Sequence, residues 1–242
     1  MAIESRILDL LDSWRDLPAY QLERRADIFF AAYLPRFLAN KFCTPISELL
    51  IPEFPLHHRT IRPDVERKKD DSCRLDYLAL SLDLSNAYFV ELKIDPGSRG
   101  RDQEANMAAA KAVGFRALIS GLLKIVEANT KPESKDSYLP KYCCLLRLLA
   151  RNNVLVLPEE LEEALCSIRF KTAVKACLPR VRVNDINPNI HVLYLQPPNG
   201  RPLDGDIDFC EFADFLPSLH DDPLAFRFAA SLRRWAACPA RR

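Results

Sequence analysis

Two short apolar runs separated by a polar tetrapeptide constrain this chain more than any other feature. Residues 75–82 and 87–94 are rich in Tyr, Phe, Val and Leu, and Asp83, Leu84, Ser85 and Asn86 stand between them. Such runs read as strands, and the residues between them suit a hairpin turn. Side chains alternate along a strand, so Glu91 and Lys93 share one face while Val90 and Leu92 turn to the other. A turn centred near Asp83 and Leu84 sets Asp76 roughly opposite Glu91, with cross-strand Cβ atoms about 5 Å apart. The pattern therefore gathers two carboxylates and an ammonium on one side of a sheet.

Around this hairpin the chain alternates between helix and strand. Apolar residues recur at helical spacing at Ile3, Ile7, Leu10, Leu11 and Trp14, and again at Leu22, Ala26, Phe29, Tyr33 and Phe37. Pro35 is expected to end or kink the second of these helices, because proline deletes a backbone donor and crowds the preceding turn. The proline-dotted residues 49–56 suit a first edge strand, and the polar run 62–72 a loop or ragged hairpin. After the turn-rich Asp95, Pro96, Gly97 and Ser98, residues 102–127 contain few helix breakers and are expected to form the longest helix. Its apolar stripe runs through Val113, Ala117 and Leu118, with Lys111 nearer solvent.

Three shorter helical patterns over about 138–178 read as an inserted lobe, and 190–195 returns to a strand closed by Pro197, Pro198, Asn199 and Gly200. Residues 223–237 form an amphipathic helix ending in Trp235. The chain has only six glycines and shows no internal repeat, no phosphate-loop or dinucleotide glycine pattern and no Gly/Ser linker. The expectation is one α/β domain over 1–242, with the helical insertion before its last core strand.

With 242 residues and 48% hydrophobic content, the chain has enough apolar surface for a substantial core. Its 34 Lys+Arg nearly balance 33 Asp+Glu, so nucleic acid would be attracted only if the basic residues gather on one face. The eight cysteines lack paired CxxC spacing, which argues against a structural zinc site and for reduced, mostly buried thiols. Cys143 and Cys144 are adjacent in a helical pattern and point in different directions. Glu4, Arg6, Asp9 and Asp12 interrupt the first apolar residues in a way a secretory leader does not, and no apolar run approaches the ~20 residues that span a bilayer. A cytoplasmic protein without a membrane partner is expected.

Fourteen residues separate Asp76 from the Glu91-Leu92-Lys93 tripeptide. Two carboxylates this close repel, and one pKa rises unless a cation neutralises them. An oxygen-only pair suits Mg²⁺ or Mn²⁺, and such a metal polarises a phosphate and lowers the pKa of water. Lys93 is then suited to orient or deprotonate that water and to offset phosphate charge. Arg74 lies near the strand entrance and is a candidate phosphate contact. Arg99, Arg101, Lys111 and Arg116 follow on the next helix, where they either attract a phosphate backbone or form an ordinary solvated face. His57, His58, His191 and His220 supply no rival cluster and read as structural.

The Asp76, Glu91, Lys93 arrangement resembles the active site of the PD-(D/E)XK nuclease superfamily, and more loosely the restriction-endonuclease-like αβββαβ order covers about 20–196. The resemblance implies catalytic roles for Asp76, Glu91 and Lys93, and a metal ligand in the backbone carbonyl of Leu92. Leu75 stands where the family has proline, and the literal Pro63-Asp64 lies too far upstream to pair with Glu91. Some branches carry a glutamine and, four residues later, a tyrosine on the following helix; here Gln103 is in register and Met107 replaces the tyrosine. An acid on the first core helix sometimes joins the metal site, which nominates Glu23 over Asp27, although pairing with Arg24 or Arg25 accounts for it equally. The implied activity is Mg²⁺-dependent hydrolysis of nucleic acid, DNA before RNA. The alternatives are a binding or assembly module on the same fold and a non-nucleolytic metal enzyme.

Overall fold

A hairpin joins β2 (Ser72–Leu80) to β3 (Asn86–Leu92). At its turn the Ser81 N–H donates to the Asn86 carbonyl at 3.0 Å, and Leu84 takes the left-handed conformation with φ +56°. Asp83 holds the turn as an acceptor for the Ser81 hydroxyl at 2.6 Å and the Ser85 N–H at 3.0 Å. These donors favour the ionised form and lower the Asp83 pKa to about 2. The turn chemistry expected from composition is thus present in detail.

The computed structural model describes residues 3–15, 21–65, 72–93, 100–198, 205–219 and 221–237. Two helices, α1 (Ile3–Trp14) and α2 (Leu22–Phe42), precede β1 (Ile51–His57) and the single turn α3 (His58–Ile61). After the hairpin come α4 (Arg101–Val113), α5 (Phe115–Ala128), α6 (Tyr138–Arg151), β4 (Leu155–Val156), α7 (Leu161–Cys166) and α8 (Phe170–Cys177). The chain continues through β5 (Arg182–Val183), β6 (Asn189–Gln196), β7 (Asp206–Asp208), α9 (Phe209–Phe215) and α10 (Pro223–Ala237). The fold is α/β, with a mixed five-stranded sheet in the order β1-β2-β3-β6-β7 and a separate β4-β5 ladder. β1 is antiparallel to β2, and β6 is parallel to β7. β6 also runs in the direction of β3: the Asn189 N–H donates to the Ser85 carbonyl at 2.8 Å and the Lys93 N–H to the Leu195 carbonyl at 2.9 Å. The described residues group into two compact units, one drawn from 1–48, 90–104 and 192–242, the other from 49–89 and 105–191.

The first unit is built on aromatic packing. Phe30 of α2 lies 5.4 and 5.6 Å, between ring centroids, from Phe209 and Phe212 of α9 and 5.1 Å from Phe228 of α10. Phe37 stands 4.7 Å from Phe212. Such tilted and edge-on pairs add to the area they bury. Pro35 does not end α2, which runs on to Phe42; the proline is itself buried in this packing, which offsets the lost backbone bond. The stripe expected on α1 faces outward instead, with Ile3, Ile7, Leu10 and Trp14 exposed and Leu8 and Leu11 buried. A polar anchor explains the rotation: Asp12 accepts from Trp235 Nε1 at 2.8 Å, Arg227 at 2.8 Å and Ser231 Oγ at 3.2 Å. Those bonds turn the Leu8, Leu11 and Asp12 face inward. At the start of α10, Asp222 Oδ1 caps the N–H groups of Leu224 and Ala225, and Oδ2 accepts the Tyr33 hydroxyl at 3.1 Å. Burial, then Asp222, drives the Tyr33 pKa upward.

In the second unit β1 pairs with β2 in the register Ile51↔Leu78 to His57↔Ser72. As an edge strand β1 tolerates Pro52 and Pro55, which cannot donate to a second neighbour. The expected single helix over 102–127 is two helices, broken at Gly114 with φ +83° and ψ 158°, a backbone state open essentially to glycine alone. Val113 consequently ends α4 at 36% exposure rather than joining Leu118 in the core; Ala117 is half-buried and Lys111 exposed. Among the described residues the longest helix is α2, with 21 residues. Residues 138–178 form α6, α7 and α8 and also β4, whose pairing with β5 the sequence did not announce. β7 was likewise unforeseen.

The thiols are not mostly buried: among the described cysteines only Cys143 and Cys177 are. Burial pushes the Cys143 thiol up to about 11, so it stays protonated. Cys144 beside it is exposed, as expected of adjacent helical positions. His57 bonds Thr60 at 2.9 Å, and His191 bonds Asn86 at 2.9 Å while stacking on Tyr88, so both have structural partners. Cys238 and His220 lie outside the described residues. Among the described residues, no helix is long and apolar enough to cross a membrane.

Candidate functional site

β3 is buried almost throughout, from Ala87 to Leu92, as a central strand covered on both faces should be. Against that apolar background Glu91 is 1% exposed and Lys93, just past the strand end, 7%. Charged side chains are almost never so buried unless paired. Here they pair with each other: Lys93 Nζ lies 3.4 Å from Glu91 Oε2, the i, i+2 spacing placing both on one face. Gln103, in the first turn of α4, donates from Nε2 to the same carboxylate oxygen. The Gln103 and Glu104 N–H groups bond the Gly100 carbonyl at 3.0 and 3.1 Å, which fixes the helix start that aims this side chain. Glu91, Lys93 and Gln103 are thus brought together within the first unit.

The Lys93 N–H donates to the Leu195 carbonyl, so the end of β3 is tied to the end of β6. The next residue on β6, Gln196, is also buried and donates to Asp206 Oδ2 at 3.0 Å. The sequence reading passed over this polar pair. Its signal is a glutamine closing an apolar strand, followed by the Asp206-Ile207-Asp208 triplet that forms β7. Arg101 is exposed at the start of α4, two residues before Gln103. Glu23 is half-buried in the first turn of α2, and Leu92 is buried at the end of β3. Arg99 lies outside the described residues.

The remaining candidates belong to the second unit. Asp76 sits midway along β2 and is half-buried. The β1–β2 register sets Glu53 across from it, between the pairs Pro52↔Tyr77 and Phe54↔Leu75. Glu53 takes φ +51°, an uncommon state for a non-glycine residue and rarer still inside a strand. The Glu53 carboxylate reaches Arg74 at 3.3 Å; both side chains are largely exposed, so the pair adds little stability. Arg116 is paired with Asp185. Among the described residues, no three His, Cys, Asp or Glu side chains form a group able to hold a metal.

In chemical terms the first-unit cluster is a buried carboxylate held by an ammonium and an amide donor at the carboxyl end of a central strand. Comparison with protein-family models, with curated proteins and with solved structures finds no match.

Proposed function

We propose that the protein is a divalent-metal-dependent nuclease with a restriction-endonuclease-like core, hydrolysing phosphodiester bonds in nucleic acid, DNA before RNA. The observation that carries this reading is the buried Glu91, Lys93 and Gln103 cluster on an otherwise apolar strand. A buried ion pair is weak as a stabiliser, since hydrophobic residues of the same volume do as well or better. Its presence in a core strand therefore points to chemistry. Three further features support the reading. The chain order α2, β1, β2, β3, α4, then β6 after the helical stretch follows αβββαβ. The cluster lies at the carboxyl end of β3, beside β6 running in the same direction, and ligands of open α/β sheets gather at such ends. The strained Glu53 stands across from Asp76, and backbone strain of about 1–3 kcal/mol concentrates at functional sites.

The Glu91 carboxylate and the main-chain carbonyl of Leu92 are hard oxygens of the kind Mg²⁺ or Mn²⁺ takes, and the family resemblance assigns Asp76 and Glu23 to the same role. When bound, the cation supplies charge neutralisation at the phosphate and a lower pKa for the attacking water. The protein's own part is to hold and orient. Gln103 fixes the rotamer of Glu91. Lys93 steadies the attacking water and the phosphate oxygens, while Arg101, Arg99 and Arg74 are assigned to the nucleic-acid backbone.

Glu91→Gln preserves shape while removing the charge that holds the cation, so it loses both Mn²⁺ binding by calorimetry and plasmid nicking. Lys93→Ala keeps Mn²⁺ binding and loses nicking. Unchanged nicking in both variants overturns the assignment. If the unmodified protein nicks neither DNA nor RNA with Mg²⁺ or Mn²⁺, the fold serves as a binding or assembly module.

A further inference from the structure

The second unit carries a cavity of about 410 Å³ lined by His57, Arg59, Lys124, Glu127, Lys131 and Lys175, with Ala128 in its wall. Four of these side chains are cations and one is a carboxylate. Lys124, Glu127, Ala128 and Lys131 recur at three- and four-residue steps along α5 and its C-terminal extension, and so share one face. Arg59 comes from α3 and Lys175 from α8. The grouping is held by close packing. A Cβ on Gly121, one turn before Lys124, would lie 2.8 Å from Thr60 Oγ1 and 3.1 Å from His57 Cβ, so α5 rests directly on the corner that carries Arg59. On the other rim Lys171 of α8 binds the Pro132 and Ser134 carbonyls and Asp136, which ties the segment after Lys131 to the helix that bears Lys175.

Elsewhere in this unit some cations, Arg74, Arg116, Arg147, Lys171 and Arg180, are matched to a carboxylate, while others on its surface, such as Lys141 and Arg151, are not matched to one among the described residues. Among the described residues, Arg59, Lys124, Lys131 and Lys175 form no ion pair, although Glu127 is in the same wall. Four like charges converging on one cavity repel one another, and a bound polyanion relieves that repulsion. Lysine binds phosphate as a mobile point charge and arginine as a planar fork, and the two together suit several phosphate groups better than one carboxylate. The volume falls in the range of small-molecule sites, about 300–1,000 Å³. Glu127 is unfavourable to a bare polyphosphate but accepts a hydrogen bond from a ligand hydroxyl or amine.

We propose that this cavity binds a small phosphate-bearing anion of nucleotide size, a nucleoside polyphosphate in chemical class, with Arg59, Lys124, Lys131 and Lys175 on the phosphates and Glu127 on a hydroxyl or amine of the nucleoside part. None of the lining residues has a role in the nuclease reading, so the inference is independent of it. The test is calorimetric titration of the full chain in EDTA at physiological salt, with adenosine and guanosine triphosphates and inorganic tripolyphosphate as probes. Both nucleotides should bind, and Lys124→Ala and Lys175→Ala should each weaken binding about tenfold, the loss of one charge-assisted contact. Glu127→Gln should strengthen tripolyphosphate and weaken the nucleotides, a reversal that general loss of structure does not produce. The Glu91→Gln variant should bind the nucleotides as the unmodified protein does. The proposal is overturned if no probe binds, if the lysine variants bind unchanged, or if a single-stranded oligonucleotide binds there more tightly than any nucleotide, which would assign the surface to nucleic acid.

Discussion

Lys93→Met removes the cation that β3 itself supplies to the Glu91 carboxylate, in a place where Glu91 is 1% and the Lys93 side chain 9% exposed. Removing one partner of a buried pair costs about 3–5 kcal/mol. The 3.4 Å separation is longer than an optimal charge-assisted bond of about 2.8 Å, and Gln103 still donates to the carboxylate, so the lower end applies, about 3 kcal/mol. For a chain of this length that lowers Tm by roughly 6–12 °C. Glu91→Gln with Lys93→Met replaces both charges by neutral groups of similar size and should cost only about 1 kcal/mol, since a neutral buried pair escapes the desolvation penalty. The double variant is therefore more stable than the single one. Urea and thermal unfolding in EDTA measure this directly. Adding Mn²⁺ extends the test: a cation at 100 times its Kd stabilises the native state by about 2.7 kcal/mol, which should bring Lys93→Met close to the metal-free unmodified protein and leave the double variant unmoved. Costs that simply add, or a Lys93→Met melting curve indifferent to Mn²⁺, refute the reasoning that Glu91 is a buried charge awaiting a cation.

Asp12→Ala leaves the buried Trp235 indole N–H and the Arg227 guanidinium without their shared acceptor, and should cost about 3–5 kcal/mol, roughly 10 °C in Tm; Asp9→Ala, on the more exposed arm of the same network, should cost less than about 1 kcal/mol. Equal losses in a thermal scan would show that the α1–α10 anchor is misassigned. The Asp83 pKa is held at about 2, below its ordinary 3.8, by the Ser81 and Ser85 donors, so its contribution is complete above pH 4 and disappears as pH falls through 2. Asp83→Ala should therefore flatten the acid limb of the stability curve in that window, as urea midpoints measured from pH 5 to pH 2 will show.

The features legible in the sequence are those set by local periodicity. The hairpin was legible because its strand runs and its Asp83-Leu84-Ser85-Asn86 turn each carry a period-2 or turn signal independent of the rest of the chain. The alternation along β3 likewise dictates that Glu91 and Lys93 share a face, whereas Gln103, which does bond Glu91, is nominated only by the family resemblance. Helix α2 is legible in its stripe at Leu22, Ala26, Tyr33 and Phe37, though its continuation past Pro35 to Phe42 is not.

Tertiary packing decided the rest. The apolar stripe on α1 points outward because Asp12, four residues after Leu8, is drawn inward by Trp235 and Arg227, partners more than two hundred residues away that no local window contains. Pro35 stays within a continuous helix because the packing around it outweighs one lost backbone bond. Gly114 splits a stretch of good helix formers because its backbone takes a conformation that only glycine occupies readily, and composition does not reveal which glycine will do so. β4, β5 and β7, strands of two or three residues, are too short to carry a periodic signal and exist only through their neighbours. The basic cavity is the clearest case: Arg59, Lys124 and Lys175 are separated by 65 and 51 residues and read singly as solvated surface, and it is the resting of α5 on the His57–Thr60 corner that turns them toward one space.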